Sequence, residues 1–244
     1  MTEYECISLW LSGATALGTI GAVLYALYGS IMDRWFRNPK LELKIANAFP
    51  FCYYHKNDNG NDSDPVFENL EISAILVNSK EFNANHCQVL CKGIYVLEAN
   101  KAKFTSYIKI RPSQFPWQNM DISRQNSVID IEQSVDYYVK IAEISKPLNK
   151  MTSNGDKPVQ NDKPSIKIAI PHPNGQGAGY IKIPYETVLV ELQIVSSNSG
   201  PLTYGVRIDW RGDNISEFEN KEIFTIALIT GQELSTLISQ EFKR

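Results

Sequence analysis

The stretch WFRNPKLELKIA, residues 35–46, contains the point at which the hydrophobic pattern of the chain changes its period. After Pro39 the period of the hydrophobic pattern switches from helical to two. Beyond it, Leu41, Leu43 and Ile45 alternate with polar residues, as in a strand with one buried face. The stretch therefore separates a helical N-terminal segment from a β-rich remainder.

Toward the N-terminus lies a run of 26 residues without a charge, Ile7 to Met32. At 1.5 Å per residue such a helix rises about 39 Å, more than the hydrocarbon core of a bilayer, which is about 30 Å thick. The alternative is a cleaved secretion signal, which has a basic start and an apolar segment of about 7–15 residues. This chain begins with the acidic MTEYEC, so we predict an uncleaved transmembrane helix over residues 7–32.

Charges and aromatic residues that flank the predicted helix indicate its orientation. Arg34, Arg37 and Lys40 follow it, and basic residues favour the cytoplasmic side of a span. Trp10 at one end and Trp35 at the other suit the two membrane interfaces. The chain is predicted to lie in the cell (inner) membrane, with residues 1–6 outside, residues 33–39 as a juxtamembrane linker and residues 40–244 as a cytoplasmic domain.

One face of the predicted span is lined with small residues. Ala14, Gly18, Ala22, Ala26 and Ser30 occur at every fourth position, while the larger aliphatic residues occupy the opposite face. Small residues let two helix backbones approach closely in lipid, where no hydrophobic force drives helices together. Self-association or packing on a partner helix is one interpretation, and the general frequency of glycine and alanine in spans is the other. The predicted packing residues are Ala14, Gly18, Gly21, Ala22, Tyr25, Ala26 and Gly29.

Toward the C-terminus, about nine to eleven short runs alternate like strands and are separated by polar, turn-forming segments. With no helical pattern between them, they predict a mainly β fold, an antiparallel sandwich with Greek-key, immunoglobulin-like connections. Two long polar loops are predicted at residues 56–66 and 147–164. The final stretch GQELSTLISQEFKR, residues 231–244, repeats leucine and isoleucine at helical spacing and predicts a short C-terminal helix.

The four cysteines, one of which is Cys6, are predicted to be free thiols, because a reducing cytosol disfavours disulfides. A zinc site is a further interpretation, since zinc takes four nitrogen or sulfur ligands. The even spacing of Cys87 and Cys91 instead places both on one face of a strand, as expected of buried small hydrophobic side chains. We therefore expect no metal or other cofactor. The zinc candidates are Cys52, His55, Cys87 and Cys91, with His86 as a spare nitrogen donor.

Basic residues fall on alternate positions of NKAKFTSYIKIRP, residues 100–112. In a regular strand these cations project from one face, which suits an anionic ligand or lipid headgroups. A solvated or edge strand is the alternative, because lysine commonly protects sheet edges. Outside the N-terminal tail 24 basic residues face 25 acidic ones, so direct nucleic-acid binding is not expected. The candidate contact residues for an anionic ligand or membrane lipids are Arg34, Arg37, Lys40, Lys101, Lys103, Lys109 and Arg111.

Linear catalytic motifs do not occur in the sequence, which has neither a nucleophile elbow nor an HExxH motif. We therefore expect a non-enzymatic, membrane-anchored module whose β-sandwich binds or senses an unidentified partner. Its transmembrane helix is expected to form a homo-oligomer or to join a membrane partner. The alternative is a scaffold that tethers an immunoglobulin-like interaction domain to a membrane partner complex.

The juxtamembrane pattern W-x-x-N-P-K-L-E-L, Trp35 to Leu43, lies between a single span and a β-rich domain. This order resembles a large set of uncharacterised bacterial membrane-anchored immunoglobulin-like β-sandwich proteins. In that set a strand like Leu70 to Asn78 leads into an asparagine-containing turn, and a late strand ends like YGVRIDW, residues 204–210. Some members are candidate membrane effectors of antiviral defence systems, so the resemblance implies a membrane-perturbing role.

Overall fold

The computed structural model describes residues 3–57, 66–97, 103–108, 111–118, 128–148, 163–171, 178–184 and 186–239. They form a long N-terminal helix, two antiparallel β-sheets and a short C-terminal helix, which confirms the predicted fold class. In chain order the elements are α1 (Glu3–Arg37), β1 (Leu41–Lys44), β2 (Cys52–Asn57), β3 (Val66–Asn78), β4 (Ala84–Leu97), β5 (Phe104–Ile108), β6 (Ser113–Gln114), β7 (Ile129–Ile131), β8 (Tyr137–Leu148), β9 (Ser165–Pro171), β10 (Ala178–Ile183), β11 (Thr187–Val195), β12 (Leu202–Trp210), a 3₁₀ turn (Ile215–Glu217), β13 (Phe224–Thr230) and α2 (Gly231–Ser239).

Helix α1 is 35 residues long and contains Trp10–Gly29, a stretch of mean hydropathy 1.4 of which no residue is buried. Among the described residues it is the one helix that is long and apolar enough to cross a bilayer. The hydroxyls of Thr15 and Thr19 donate to main-chain carbonyls one turn earlier, over 2.7 and 2.9 Å, so neither needs another partner in lipid. The helix continues through residues 33–37, which the sequence pattern assigns to the linker.

The first sheet has the order β1-β3-β8-β9-β10, and β2 also pairs with β3. Strand β1 pairs with the end of β3, where Leu41 lies opposite Asn78, and β2 pairs with an earlier part, where Cys52 lies opposite Ile72. The second sheet has the order β13-β12-β11-β4-β5, and β6 and β7 also pair with β4. Neighbours such as β4 and β11 are distant in sequence, because the chain crosses between the sheets as Greek-key connections require.

The main hydrophobic core lies between the two sheets. A second, smaller apolar cluster forms where α2 packs Leu234 against Leu189, Ile229 and Phe104. Since Val188 and Val190 belong to the main core, the intervening Leu189 points to the outer face of the second sheet, which α2 therefore covers. The large side chains that are fully buried include Leu70, Ile72, Leu76, Ile94, Phe115, Trp117, Ile141, Ile144 and Phe224.

Strand boundaries differ from the sequence prediction around both long loops. Strand β2 extends to Asn57 and β3 begins at Val66, so the ends of predicted loop 56–66 belong to strands. Strand β8 likewise runs to Leu148, inside predicted loop 147–164. Pairing with β3 keeps these polar residues extended, because backbone hydrogen bonds do not require apolar side chains. The remaining loop residues lie outside the described ranges, except for Lys163 and Pro164.

The alternation predicted across residues 101–111 is interrupted. Strand β5 covers only Phe104–Ile108, and its pairing with β4 shifts register between Ile94 and Tyr95. Phe104 is buried, whereas Ile108, expected on the same face, is exposed. The predicted basic face stays a prediction, because Lys101 and Lys109 lie outside the described residues.

A buried asparagine fixes the start of the sandwich. The side chain of Asn78, 1% exposed, accepts hydrogen bonds from the main-chain N–H groups of Lys40 and Lys80, each over 3.2 Å. Its amide donates to the carbonyls of Phe82 at 2.6 Å and Ile131 at 3.4 Å. All its polar atoms are satisfied, and Asn78 joins the residue that follows Pro39 to the turn after β3 and to the end of β7.

Candidate functional site

A cavity of about 620 Å³ opens on the outer face of the first sheet. Its volume falls within the range of about 300–1,000 Å³ that small-molecule sites occupy. We call it the aromatic groove. It is lined by Phe49, Pro50, Tyr53, Glu71, Ser73, Pro116, Trp117, Gln118, Tyr138, Lys140 and Tyr180.

Exposed aromatic rings form the rim of the aromatic groove. Phe49 is 78% exposed, Tyr53 56% and Tyr180 41%. Outside α1, seven large hydrophobic side chains of the described residues are exposed, and these three border the same cavity. Single exposed hydrophobic residues are ordinary, but a cluster of them marks a surface suited to binding.

The floor of the groove contains charges that are paired with one another. The Lys140 ammonium, whose side chain is 14% exposed, lies 2.7 Å from a carboxylate oxygen of Glu71 and 3.0 Å from one of Glu143. Lys167 lies 3.8 Å from the other oxygen of Glu143. The ring of Tyr180 lies 5.5 Å from the Lys140 ammonium and 5.9 Å from that of Lys167, within cation–π range. Two cations and two anions thus compensate each other beneath the rim.

Protonation of the floor follows from these contacts. Burial would lower the pKa of Lys140, but its hydrogen bond to Glu71 and the nearby carboxylate charges outweigh burial, so the pKa is raised above that of a free lysine. Burial raises the pKa of Tyr180, and the charge of Lys140 opposes that rise only in part. At neutral pH the groove therefore presents a charged ammonium and a neutral phenol.

A β-bulge places the charges on one face. Across the β3–β8 pair, Ile72 lies opposite Ala142 and Ser73 opposite Lys140, which leaves Ile141 as an extra residue. Residues three apart in a regular strand point to opposite faces. The bulge removes that restriction, so Lys140 and Glu143 both reach the outer face and form their ion pair.

A segment that crosses from one sheet to the other closes one side of the groove. The Phe115 N–H donates to the Val89 carbonyl in the second sheet, over 2.8 Å, and the Gln118 N–H donates to Tyr138 in the first, over 2.7 Å. The Gln118 side chain accepts from the Ser73 hydroxyl at 2.7 Å and donates to Glu71 at 3.3 Å. The floor is therefore a continuous hydrogen-bonded network.

The sequence interpretation does not include the aromatic groove. A usable signal lies in FPFCYYH, residues 49–55, where four aromatic residues occur in seven positions next to a predicted loop. Glu71 and Lys140 carry no such signal, because they are 69 positions apart and only the β3–β8 pairing brings them together.

The small-residue face of α1 is exposed to the surroundings of the helix. No atom outside the local helix backbone lies within 4 Å of the position a Cβ would take at Gly18, Gly21 or Gly29. Ala14, Ala22, Tyr25 and Ala26 are likewise exposed. Within the described residues, the sandwich thus leaves this face free for another helix.

Of the candidate basic residues, Lys40, Lys103 and Arg111 have described side chains, and these three do not gather in one place. Lys40 pairs with Glu42 at 2.6 Å beside the start of β1. Lys103 immediately precedes Phe104, which pairs with Leu97 at the C-terminal end of β4. Ala84 is at the other end of β4, on the side of the sandwich where Lys40 lies. Arg111 follows β5 and is exposed. Arg34 and Arg37 belong to α1 but their side chains lie outside the description, as do residues Lys101 and Lys109.

The zinc candidates are distributed over both sheets. Cys52 and His55 belong to β2 of the first sheet, whereas His86, Cys87 and Cys91 belong to β4 of the second. Among the described residues no three histidine, cysteine or acidic side chains are placed to hold a metal ion. Burial raises the pKa of the thiols of Cys52, Cys87 and Cys91 to about 12, so at neutral pH they are protonated, apolar side chains.

No family model matches the chain, and neither a curated protein nor a solved structure is significantly similar to it. The resemblance to membrane-anchored immunoglobulin-like proteins accordingly stays a prediction. The aromatic groove, the apolar helix and the two-sheet architecture are the features on which a functional argument rests.

Proposed function

We propose that this chain is a membrane-anchored, non-enzymatic binding module. The aromatic groove binds a ligand, α1 anchors the module in the cell membrane, and the small-residue face of α1 assembles copies of it. The observation that carries the proposal is the groove itself, in which three exposed rings surround a floor of mutually hydrogen-bonded polar side chains. Exposed rings lose solvent contact when a ligand covers them, whereas the floor is already held in one arrangement by its own hydrogen bonds.

Assembly through α1 is supported by the exposed row of small residues. In lipid, close backbone approach provides van der Waals contact that larger side chains prevent. Ligand binding would alter the sandwich, and clustering of the spans would carry that change into the bilayer. A membrane-perturbing, antiviral effector role is the further step of the proposal and rests on the sequence resemblance.

Cross-linking of the full chain in membranes tests the assembly. The unmodified chain is expected to give dimers or larger species, and Gly18→Ile is expected to give monomers because the side chain separates the helices. Leu24→Ile, on the opposite face, is the matched control and should cross-link like the unmodified chain. Monomers for all three variants would contradict assembly. Co-purification of a stoichiometric membrane protein that Gly18→Ile abolishes would favour the scaffold instead.

A reporter fused after Arg244 tests the orientation. The proposal places residues 40–244 in the cytoplasm, so a reporter that is active only outside the cytoplasm should stay silent. For the effector step, cells that carry the chain should lose membrane integrity only under a trigger, and Gly18→Ile should prevent that loss.

A further inference from the structure

We infer that the aromatic groove takes a neutral, hydroxyl-rich ring compound, that is, a saccharide unit. The inference rests on the proposed function, since it names the ligand class of the same groove. Three properties support it: compensated charge, exposed flat rings and an excess of hydrogen-bond acceptors.

The charges of the groove leave nothing for a charged ligand to neutralise. Lys140 is engaged by both Glu71 and Glu143, and Lys167 by Glu143. Glu71 and Lys140 are the charged residues that line the cavity, so an anion placed here would meet the Glu71 carboxylate and a cation the Lys140 ammonium, unless their ion pair separated first. Removing one partner of a buried pair leaves an uncompensated charge, which is strongly unfavourable. A ligand without net charge avoids that cost.

The rim offers flat apolar surface. Phe49, Tyr53 and Tyr180 are aromatic and exposed around one opening. An aromatic side chain provides a large contact area with few rotatable bonds, so little conformational entropy is lost on contact. A sugar ring has faces made of C–H groups, which pack against an aromatic ring while its hydroxyls point outward from the ring edge.

The floor has acceptor capacity to spare. The Glu71 oxygens each accept one bond in this network, from Lys140 and from Gln118, and each retains a further lone-pair site. The Ser73 hydroxyl uses its hydrogen on Gln118, so its own lone pairs remain. A hydroxyl both donates and accepts without carrying charge, and it therefore matches this floor better than a group that only accepts.

Ligand titration of the full chain in detergent tests the inference, with tyrosine and tryptophan fluorescence and calorimetry as readouts. The probes are neutral oligosaccharides of glucose, mannose and N-acetylglucosamine, an oligomer of glucuronic acid, an uncharged nucleoside and a neutral tetrapeptide. At least one neutral oligosaccharide is expected to bind, and the glucuronic acid oligomer to bind about tenfold more weakly or not at all. Phe49→Ala and Tyr53→Ala should each weaken the neutral sugar about tenfold. Phe82→Ala, an exposed ring outside the groove, is the matched control and should leave affinity unchanged.

Other outcomes overturn the inference and separate it from the proposed function. The ligand class would be wrong if the chain bound the nucleoside, the peptide or the charged oligomer in preference to neutral sugars. If Tyr53→Ala abolished that binding, the groove would still be a binding site. If no probe binds and the rim variants behave like the unmodified chain in cells, the ligand class and the groove both fail.

Discussion

Lys140 contacts two carboxylates and an aromatic ring of the aromatic groove and its surroundings. Its ammonium lies between the carboxylates of Glu71 and Glu143. The bulge in β8, whose extra residue is Ile141, allows the contact with Glu143. The hydrogen bonds of Gln118 then tie the same carboxylate to the segment that closes the groove. One charged side chain therefore connects β3, β8 and the crossing segment.

Lys140→Met is expected to destabilise the sandwich by about 1–3 kcal/mol, because it removes the cation paired with Glu71 and leaves Glu143 only its longer contact with Lys167, while partial exposure limits the cost. Chemical denaturation measures the loss. Lys167→Met is the matched control, since its 3.8 Å contact is longer and its side chain more exposed, and it should change stability by less than about 0.5 kcal/mol. Equal losses of stability for both variants would mean that the ion pairs of Lys140 contribute no more than the longer contact of Lys167.

The same residue predicts a pH response. Because its pKa is raised in the folded protein, its stabilising contribution is complete below about pH 10, near the pKa of unfolded lysine, and is lost only as pH rises through the folded value. The stability difference between the unmodified chain and Lys140→Met should therefore be the same at pH 7 and pH 9. If the stability difference between the two proteins were smaller at pH 9 than at pH 7, the raised pKa of Lys140 would be contradicted.

At the scale of elements, a glycine in β12, Gly205, leaves the space in which α2 packs against the second sheet. A Cβ on Gly205 would lie 2.7 Å from a methyl carbon of Leu234, 3.0 Å from one of Leu189 and 3.3 Å from the Cβ of Ile229. Alanine normally stabilises a strand relative to glycine. At Gly205 we expect alanine to destabilise the protein instead, because a well-packed cluster must move to accept an added methyl group.

Gly205→Ala is expected to lower the free energy of unfolding by about 1–3 kcal/mol and to loosen α2. Limited proteolysis should remove the C-terminal residues faster than in the unmodified chain. Gly200→Ala is the control, since no atom lies within 4 Å of its Cβ position, and it should stay within about 0.5 kcal/mol of the unmodified chain. Unchanged proteolysis of Gly205→Ala would show that α2 adapts to the methyl group.

The elements were largely predictable from the sequence, and the groove was not. Runs such as ETVLVELQIV gave β11 because periodicity is a local property, and GQELSTLIS gave α2 for the same reason. Strand β2 has no such alternating pattern, because its second half, His55 to Asn57, is polar and is extended only through its pairing with β3. The floor of the groove depends on a β-bulge and on ion pairs between residues distant in sequence. Neither produces a periodic pattern of hydrophobic residues in the sequence.

At the scale of the whole molecule, Asn78 joins the segment that follows α1 to the sandwich. Asn78→Ala leaves the N–H groups of Lys40 and Lys80 and the carbonyl of Phe82 without their partner. We expect a loss of about 1–3 kcal/mol, because three partly buried groups lose their hydrogen-bond partner and solvent satisfies them only in part. Hydrogen exchange at the Lys40 and Lys80 amides should accelerate together.

Asn220→Ala is the control for that substitution, since the Asn220 side chain accepts one exposed hydrogen bond, from Glu222. It should cost less than about 1 kcal/mol and leave exchange at Lys40 unchanged. Slow exchange at Lys40 in Asn78→Ala would show that the junction is held by the β1–β3 pairing alone.

The junction between α1 and the sandwich also has a mechanical consequence. Helix α1 ends at Arg37, and Lys40 is already bonded to Asn78 and Ser79, so Asn38 and Pro39 are the residues between two rigid bodies. Proline fixes its own φ, which leaves few bonds able to absorb torsion. If α1 spans a membrane as proposed, this short connection limits how far the sandwich can turn relative to the span. Two copies packed through Gly18 would hold their grooves at a set azimuth around the membrane normal.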